Sequence, residues 1–309
     1  MEVALQTQTL PVETFEASLQ DACGKFDVRP TQGDADTWGG ISLHRQMDLE
    51  FALVATDLQQ ILRTSRNIRQ DDGENFFLIM QKEGRALMGQ NDRFSVLHPG
   101  DLVLIDSAKP SEFTFFGDRS IQMSLHLPRV DLEERFGAVI PGGLSVNRQD
   151  PTAMAIHAII AKSESTVDAQ VHLKDALLSL IGVALMERRI HGGTTTARLE
   201  QREGSVLTRS IGYIETRFQD PEFSPAMIAQ DLGVQPYQVQ RAFKSLGTTA
   251  TKYLLAKRLE TARTRLIENA KLHNPVLVST IAYQSGFADV SYFNRCFRKV
   301  FGKTPSDVS

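Results

Sequence analysis

Cysteine, tryptophan and long apolar runs are scarce in this sequence, and each scarcity excludes something. Cys23 and Cys296 are the only cysteines, too few and too far apart for a disulfide framework or a thiolate zinc site. A reducing compartment, the cytoplasm, is therefore expected. No window approaches about 18 uninterrupted apolar residues, so no membrane-spanning helix and no membrane partner are expected. Met1 to Gln6 lack the basic start and apolar core of a secretory signal. There is no nucleophile motif, no phosphate-cradling glycine loop and no dinucleotide fingerprint. His44, His98, His126, His157, His172, His191 and His273 form no His-x-His or His-x-x-x-Glu cluster, so no metal, no catalytic residue and no cofactor are expected.

What is present is a globular composition with a lopsided charge. The 309 residues are 41% hydrophobic and 23% charged, with 34 Lys+Arg against 37 Asp+Glu. That net charge of −3 resolves into about −9 for residues 1–203 and +6 for 204–309. An acidic module joined to one that faces a polyanion produces such a step.

From about 75 to 128 the pattern is short, β-rich and punctuated by turns. Phe76 to Met80, Arg85 to Met88, Phe94 to Leu97, Leu102 to Ile105, Phe113 to Phe116 and Ile121 to Leu127 read as separate strands. Gly40 to His44 and Phe51 to Ala55 give weaker signals. Strands of this length and spacing suggest an antiparallel sandwich or barrel. Trp38, Phe51, Phe76, Phe94 and Phe115 are available to enclose a small organic molecule in its interior, or simply to fill the core. After Pro128 the period becomes helical, with helices over Pro151 to Ala161 and Asp168 to Arg189. Val171, Leu178, Ile181 and Leu185 share a stripe of the second helix and are the candidate dimer contact, although the barrel could also cover them. His191-Gly192-Gly193-Thr194-Thr195-Thr196 then breaks the helix, and residues 192–204 read as a linker between domains at 1–191 and 205–309.

The last hundred residues repeat themselves. Ile228-Ala229-x-x-x-Gly233 returns 53 residues later as Ile281-Ala282-x-x-x-Gly286, followed by Arg241-Ala242-Phe243-Lys244 and Arg295-Cys296-Phe297-Arg298 respectively. A small residue near a helix crossing, then a glycine free to take positive φ, is what a helix-turn-helix needs, and here it occurs twice. Between the copies, Thr251 to Glu268 form an amphipathic helix bearing Lys252, Lys257, Arg258, Arg263 and Arg265. At 1.5 Å per residue it spans roughly 27 Å, comparable to the ~34 Å turn of B-DNA.

Residues Ile281 to Ser306 closely resemble the signature of the AraC/XylS family of bacterial transcription regulators, and Arg258-Leu259-Glu260-x-Ala262-Arg263 resembles its linker helix. Ala250 stands where the family often has proline, and the sequence ends at Ser309, short of the tyrosine and basic residues common in members. The resemblance implies an α+β, two-domain chain. Its first domain is a cupin-like antiparallel β-barrel with helices flanking its C-terminal side, and its second is an all-α domain of two helix-turn-helix units joined by a long linker helix. It also implies double-stranded promoter DNA, a small-molecule effector, RNA polymerase and a second copy of the chain as partners. Family logic lays the second helix of each unit in a major groove. Tyr237, Gln240, Arg241, Val290, Ser291, Asn294 and Arg295 are then candidate base contacts, since Gln pairs with adenine and Arg with guanine. Lys244, Arg298, Lys299, Lys303 and the linker-helix bases are candidates for phosphate. The leading reading is a ligand-responsive activator of a catabolic operon. A regulator whose first domain only dimerises comes second, and a cupin-type enzyme with an accessory DNA domain third.

Overall fold

A computed structural model describes residues 5–30, 35–71, 73–162, 167–191, 195–271 and 274–308; the side chains of 167–168, 188–191 and 195–201 lie outside the description. The chain forms two compact units, divided between Gly204 and Ser205.

The first unit opens with β1 (Gln8–Pro11), α1 (Val12–Cys23) and β2 (Asp27–Arg29). Then follow β3 (Asp36–Gln46), β4 (Leu49–Thr56), β5 (Gln60–Arg63), the single turn α2 (Ser65–Ile68) and β6 (Asn75–Gln90). β7 (Arg93–Leu97), β8 (Leu102–Asp106), β9 (Ser111–Pro128), α3 (Arg129–Phe136) and β10 (Leu144–Val146) lead to α4 (Pro151–Ala161) and α5 (Val167–His191). Among the described residues ten strands make one sheet, in the order β1-β3-β4-β9-β6-β8-β10, with β2, β5 and β7 paired off that path. Two-residue hairpin turns at Met47-Asp48 and Asn91-Asp92 have positive φ at both positions, the twist that suits antiparallel strands.

Four of the expected strands are two. β6 and β9 pair along their whole lengths, from Asn75 opposite Pro128 to Gln90 opposite Ser111, with register shifts between Gln81, Glu83 and Arg85. The polar run Gln81-Lys82-Glu83-Gly84 looks like a turn in sequence but is a bulge in the fold. Gly84 has φ +74°, and a Cβ there would meet the Arg119 carbonyl at 2.3 Å, so the bulge requires glycine.

The sheet has two apolar faces. On one, Phe51, Phe76, Leu78, Met80, Leu102, Leu104, Met123, Leu125 and Leu127 pack under α3, α4 and α5. On the other, Phe77, Ile79, Ala52, Val54, Ala86, Met88, Val103, Ile105, Phe113 and Phe115 enclose a common interior with Phe15 and Leu19 of α1. The five aromatics proposed for a pocket are split by this division. Phe51 and Phe76 lie under the helices, and Phe115 lies in the interior. Trp38, beneath the Arg119 guanidinium at 4.2 Å, and Phe94 are only half-buried. They do not line one cavity, because strand alternation sends neighbouring aromatics to opposite faces.

The apolar stripe of α5 also faces inward. Leu178, Ile181 and Leu185 are buried against the sheet, whereas Val171 is 61% exposed. The stripe therefore packs on its own domain, and the outward side of α5 carries Val171, Val183 and Met186 instead. By length and composition, α5 over Ala169–Glu187 is apolar enough to cross a membrane, contrary to the expectation from uninterrupted apolar runs, because polar residues interrupt the span without lowering its mean hydropathy enough. The row from Leu177 to Leu185 packs into the core, but only 33% of that span is buried.

The remaining elements are α6 (Thr195–Arg217), α7 (Pro225–Asp231), α8 (Pro236–Ser245), α9 (Ala250–Asn269), α10 (Val278–Gln284), α11 (Val290–Phe301) and a 3-10 turn at Pro305–Asp307. Residues 192–194, in the expected linker, lie outside the described residues, but from Thr195 onward the segment is helical. Ala197-Arg198-Leu199-Glu200-Gln201-Arg202-Glu203 are strong helix formers that need no apolar periodicity.

Candidate nucleic-acid interface

The second unit contains the repeat as two helix pairs around separate apolar centres. In the first, α7 and α8 meet through Ile228, Ala229, Val239, Ala242 and Phe243, all buried. Gly233 turns between them at φ +64°, with nothing within 4 Å of the position a Cβ would occupy. In the second, Ile281, Ala282, Phe287, Phe293 and Phe297 pack on Leu259, Ala262 and Leu266 of α9. Successive rings hold α11 in place: Phe287–Phe293 centroids are 4.9 Å apart, Phe293–Phe297 5.4 Å and Phe297–Phe301 4.6 Å. Asp289 caps the start of α11 by accepting from the Tyr292 amide at 2.6 Å, and Gly302 ends it in the left-handed region.

With the phenylalanines inside, the polar side chains of α8 and α11 are outside. Tyr237, Gln240, Arg241 and Lys244 are exposed on α8; Ser291, Asn294, Arg295, Arg298 and Lys299 are exposed on α11, and Lys303 just beyond it. Val290 differs. It is half-buried and packs against the centre formed by Phe287, Phe293 and Phe297, because the first turn of α11 leans on the helix it follows. Tyr292, 45% exposed at the start of α11, was absent from the sequence-derived set. Lying one residue before buried Phe293, it falls off the inward face, which is the sequence signal that could have found it.

The linker helix α9 begins at Ala250, capped by the Thr249 hydroxyl, so the missing proline costs no helical residue. Most of its bases are engaged. Lys257 pairs with Glu215 at 2.5 Å and lies over the Phe218 ring. Arg258 Nε donates to the Phe218 carbonyl at 2.7 Å, and its Nη2 donates to the carbonyls of Asp220 at 2.8 Å and Phe223 at 3.2 Å. Burial holds its guanidinium below the usual arginine range, against the attraction of Asp220. Arg265 donates to the Gln284 carbonyl at 2.6 Å, and Arg263 lies over the Phe301 ring, 3.7 Å from Glu260. Arg258 is thus a clamp on the α6–α7 loop rather than a free phosphate ligand, which sequence could not separate from its solvated neighbours on the same helix. Gly286 completes the clamp. Its φ is +88°, and a Cβ there would meet the Phe218 carbonyl at 2.1 Å and Arg258 Nε at 2.8 Å.

Two polar helix faces, each fixed by its own buried apolar side chains and separated by a helix of 20 residues, suit two successive grooves of a duplex. A family model described as the AraC-binding-like domain matches residues 15–179, just over half of the chain, and a helix-turn-helix domain model matches 228–309. The chain belongs to the AraC family. It is a DNA-binding transcription regulator with an N-terminal sheet domain and a C-terminal helical one. Among AraC-type relatives, "Transcriptional activator NphR" of Rhodococcus sp is 28% identical over 277 residues, covering 87% of this chain and 78% of that protein. "HTH-type transcriptional activator RhaR" of Salmonella arizonae is 24% identical over 273 residues, covering 81% and 92%. The crystal structure of the AraC-like transcriptional activator CuxR matches the fold with a TM-score of 0.51 at 13% identity, covering 90% of this chain and 100% of that one.

Proposed function

We propose that this AraC-family chain is an effector-responsive activator of a catabolic operon in the cytoplasm, and not an enzyme. Residues 205–309 form its DNA-binding domain and 1–191 its effector and dimerisation domain. Tyr237, Gln240 and Arg241 of α8 read bases in one major groove; Ser291, Asn294 and Arg295 of α11 read the next. Lys244, Arg298, Lys299, Lys303 and exposed Lys252 meet phosphates, which position the chain without specifying sequence. The observation that carries this reading is the paired outward placement of these side chains over the buried apolar sides of α8 and α11. The activator role draws on the likeness to the transcriptional activators NphR and RhaR. RNA polymerase is the expected protein partner. A second copy joins through the outward face of α5, where Val171, Val183 and Met186 are exposed. The test is fluorescence anisotropy with promoter DNA across a salt series. Log affinity should fall linearly and steeply with log salt, by about 0.9 per phosphate contact. A folded chain whose weak DNA binding ignores both salt and sequence would overturn the proposal.

A further inference from the structure

The corner between α6 and α7, Phe218 to Phe223, touches both helix-turn-helix pairs. On one side it is tied to the first. Arg217 reaches Asp231 at the end of α7 at 3.2 Å and Asp220 in the corner at 3.3 Å, and its guanidinium lies 5.0 Å from the centroid of the Phe223 ring. Phe218 and Phe223 are themselves buried. On its other side the corner meets the second pair. Gly286, in the turn between α10 and α11, is so close that a Cβ would collide with the Phe218 carbonyl and stand 3.1 Å from the Gln219 Cα. Phe287, the next residue, carries this contact into α11 through the Phe293 ring, 4.9 Å away between centroids.

Arg258 of α9 sits at this junction. Its Nε donates to the same Phe218 carbonyl that faces Gly286, and its Nη2 donates to the carbonyls of Asp220 and Phe223. Carbonyls spread over a corner need the planar fork of a guanidinium, because an ammonium is a single point and cannot reach them together. Two turns further along α9, Arg265 donates to the Gln284 carbonyl at the end of α10 at 2.6 Å, holding the second pair from another point. The reading helices α8 and α11 are thus joined by two routes, along α9 and across the corner. A helix of 20 residues by itself bends; a helix with a cross-tie at backbone contact distance is a closed frame.

We propose that Arg258 and Gly286 are positioning residues for DNA reading: through Phe218 they fix the spacing and the helical phase at which α8 and α11 meet a duplex. This inference rests on the reading that both helices contact the same DNA. One base pair inserted between the two base sets moves the second by about 3.4 Å along the axis and about 35° around it. Hydrogen bonds to base edges hold over a range of only about 0.5 Å, so a closed frame must give up one of its two sets. A loosened frame follows the duplex instead, and loses the preorganisation that favoured the original spacing.

The test uses the full chain and duplexes that it selects from a randomised library. Wild type should select one spacing between the α8 and α11 base sets, which Arg241→Ala and Arg295→Ala locate. Inserting one base pair between the sets should lower its affinity at least about tenfold. Arg258→Lys keeps the charge and loses the fork, whereas Gly286→Ala keeps the fork and pushes the corner away. Both variants, with folding checked by circular dichroism, should select a spread of spacings and lose less than about threefold on the insertion. Discrimination among bases within each set should match wild type, which separates a change of spacing from a general loss of structure. A wild type that tolerates the insertion overturns the proposal with no variant needed, and so do folded variants that keep the wild-type spacing. Protection of guanine N7 from methylation by the wild type separates this proposal from the reading beneath it. If two adjacent major grooves are protected but the variants keep the wild-type spacing, the two-helix reading stands and the positioning role fails. If one groove alone is protected, the two-helix reading itself fails.

Discussion

A buried histidine makes stability depend on pH in a direction set by its surroundings. His126 is nearly inaccessible, with the Phe77 ring 4.8 Å away edge-on. Burial holds its pKa below 6.5 although Glu50 pulls upward. As pH falls through 6.5 the unfolded chain takes up the proton first, so stability present above pH 6.5 is lost below it. Trp38, the single tryptophan, reports on the first unit. Its urea midpoint should fall between pH 7 and pH 5, and His126→Gln should flatten that slope; an unchanged slope assigns the titration elsewhere. A second residue-scale contrast lies on α9. Arg258→Ala leaves three carbonyls without their donor and should cost the second unit about 2–3 kcal/mol in urea unfolding. Lys252→Ala, on the exposed side, should leave stability unchanged and reduce the salt slope of DNA binding. Equal effects of the two variants on stability would remove the distinction.

At the scale of elements, the two turn glycines look alike in sequence and differ in the fold. Gly233 needs only its positive φ, whereas Gly286 needs that and the space beside the Phe218 carbonyl. Gly233→Ala should cost about 1 kcal/mol and Gly286→Ala at least twice that in unfolding free energy, with equal costs contradicting the clamp. Much of the outward face of α8 and α11 was legible because a helix carries its own period. Buried Val239, Phe243, Phe293 and Phe297 fix which side of α8 and α11 faces out, and of the candidates named on those two helices Val290 is the half-buried one. The sheet was less legible. Whether Phe76 or Phe77 faces the interior depends on a partner strand some fifty residues away, and the bulge at Gly84 reverses the alternation within β6. The stripe on α5 was found, but periodicity left both a dimer contact and packing on its own domain open, and only the fold shows Leu178, Ile181 and Leu185 in the core with Val171 outside.

At the scale of the whole molecule, the charge step foretold an acidic module and a polyanion-facing one, and the family match agrees with it. Dimerisation through α5 would raise the effective concentration of the second DNA-binding domain once the first is bound. Val183→Lys with Met186→Lys should give a folded monomer by sedimentation, whereas Leu178→Lys with Leu185→Lys should unfold the first unit, because those two leucines are core. A dimeric Val183/Met186 variant would move the interface elsewhere.

The claim at the centre of this account is that α8 and α11 read separate parts of one site. It is tested most directly by measuring affinities for every single base-pair change in the promoter site, for the wild type, Arg241→Ala and Arg295→Ala. Each arginine variant should lose discrimination at its own base pairs, the two sets lying about one helical turn apart, at about 1–3 kcal/mol each. Uniform weakening across all sequences, or loss at the same base pairs in both variants, would contradict it.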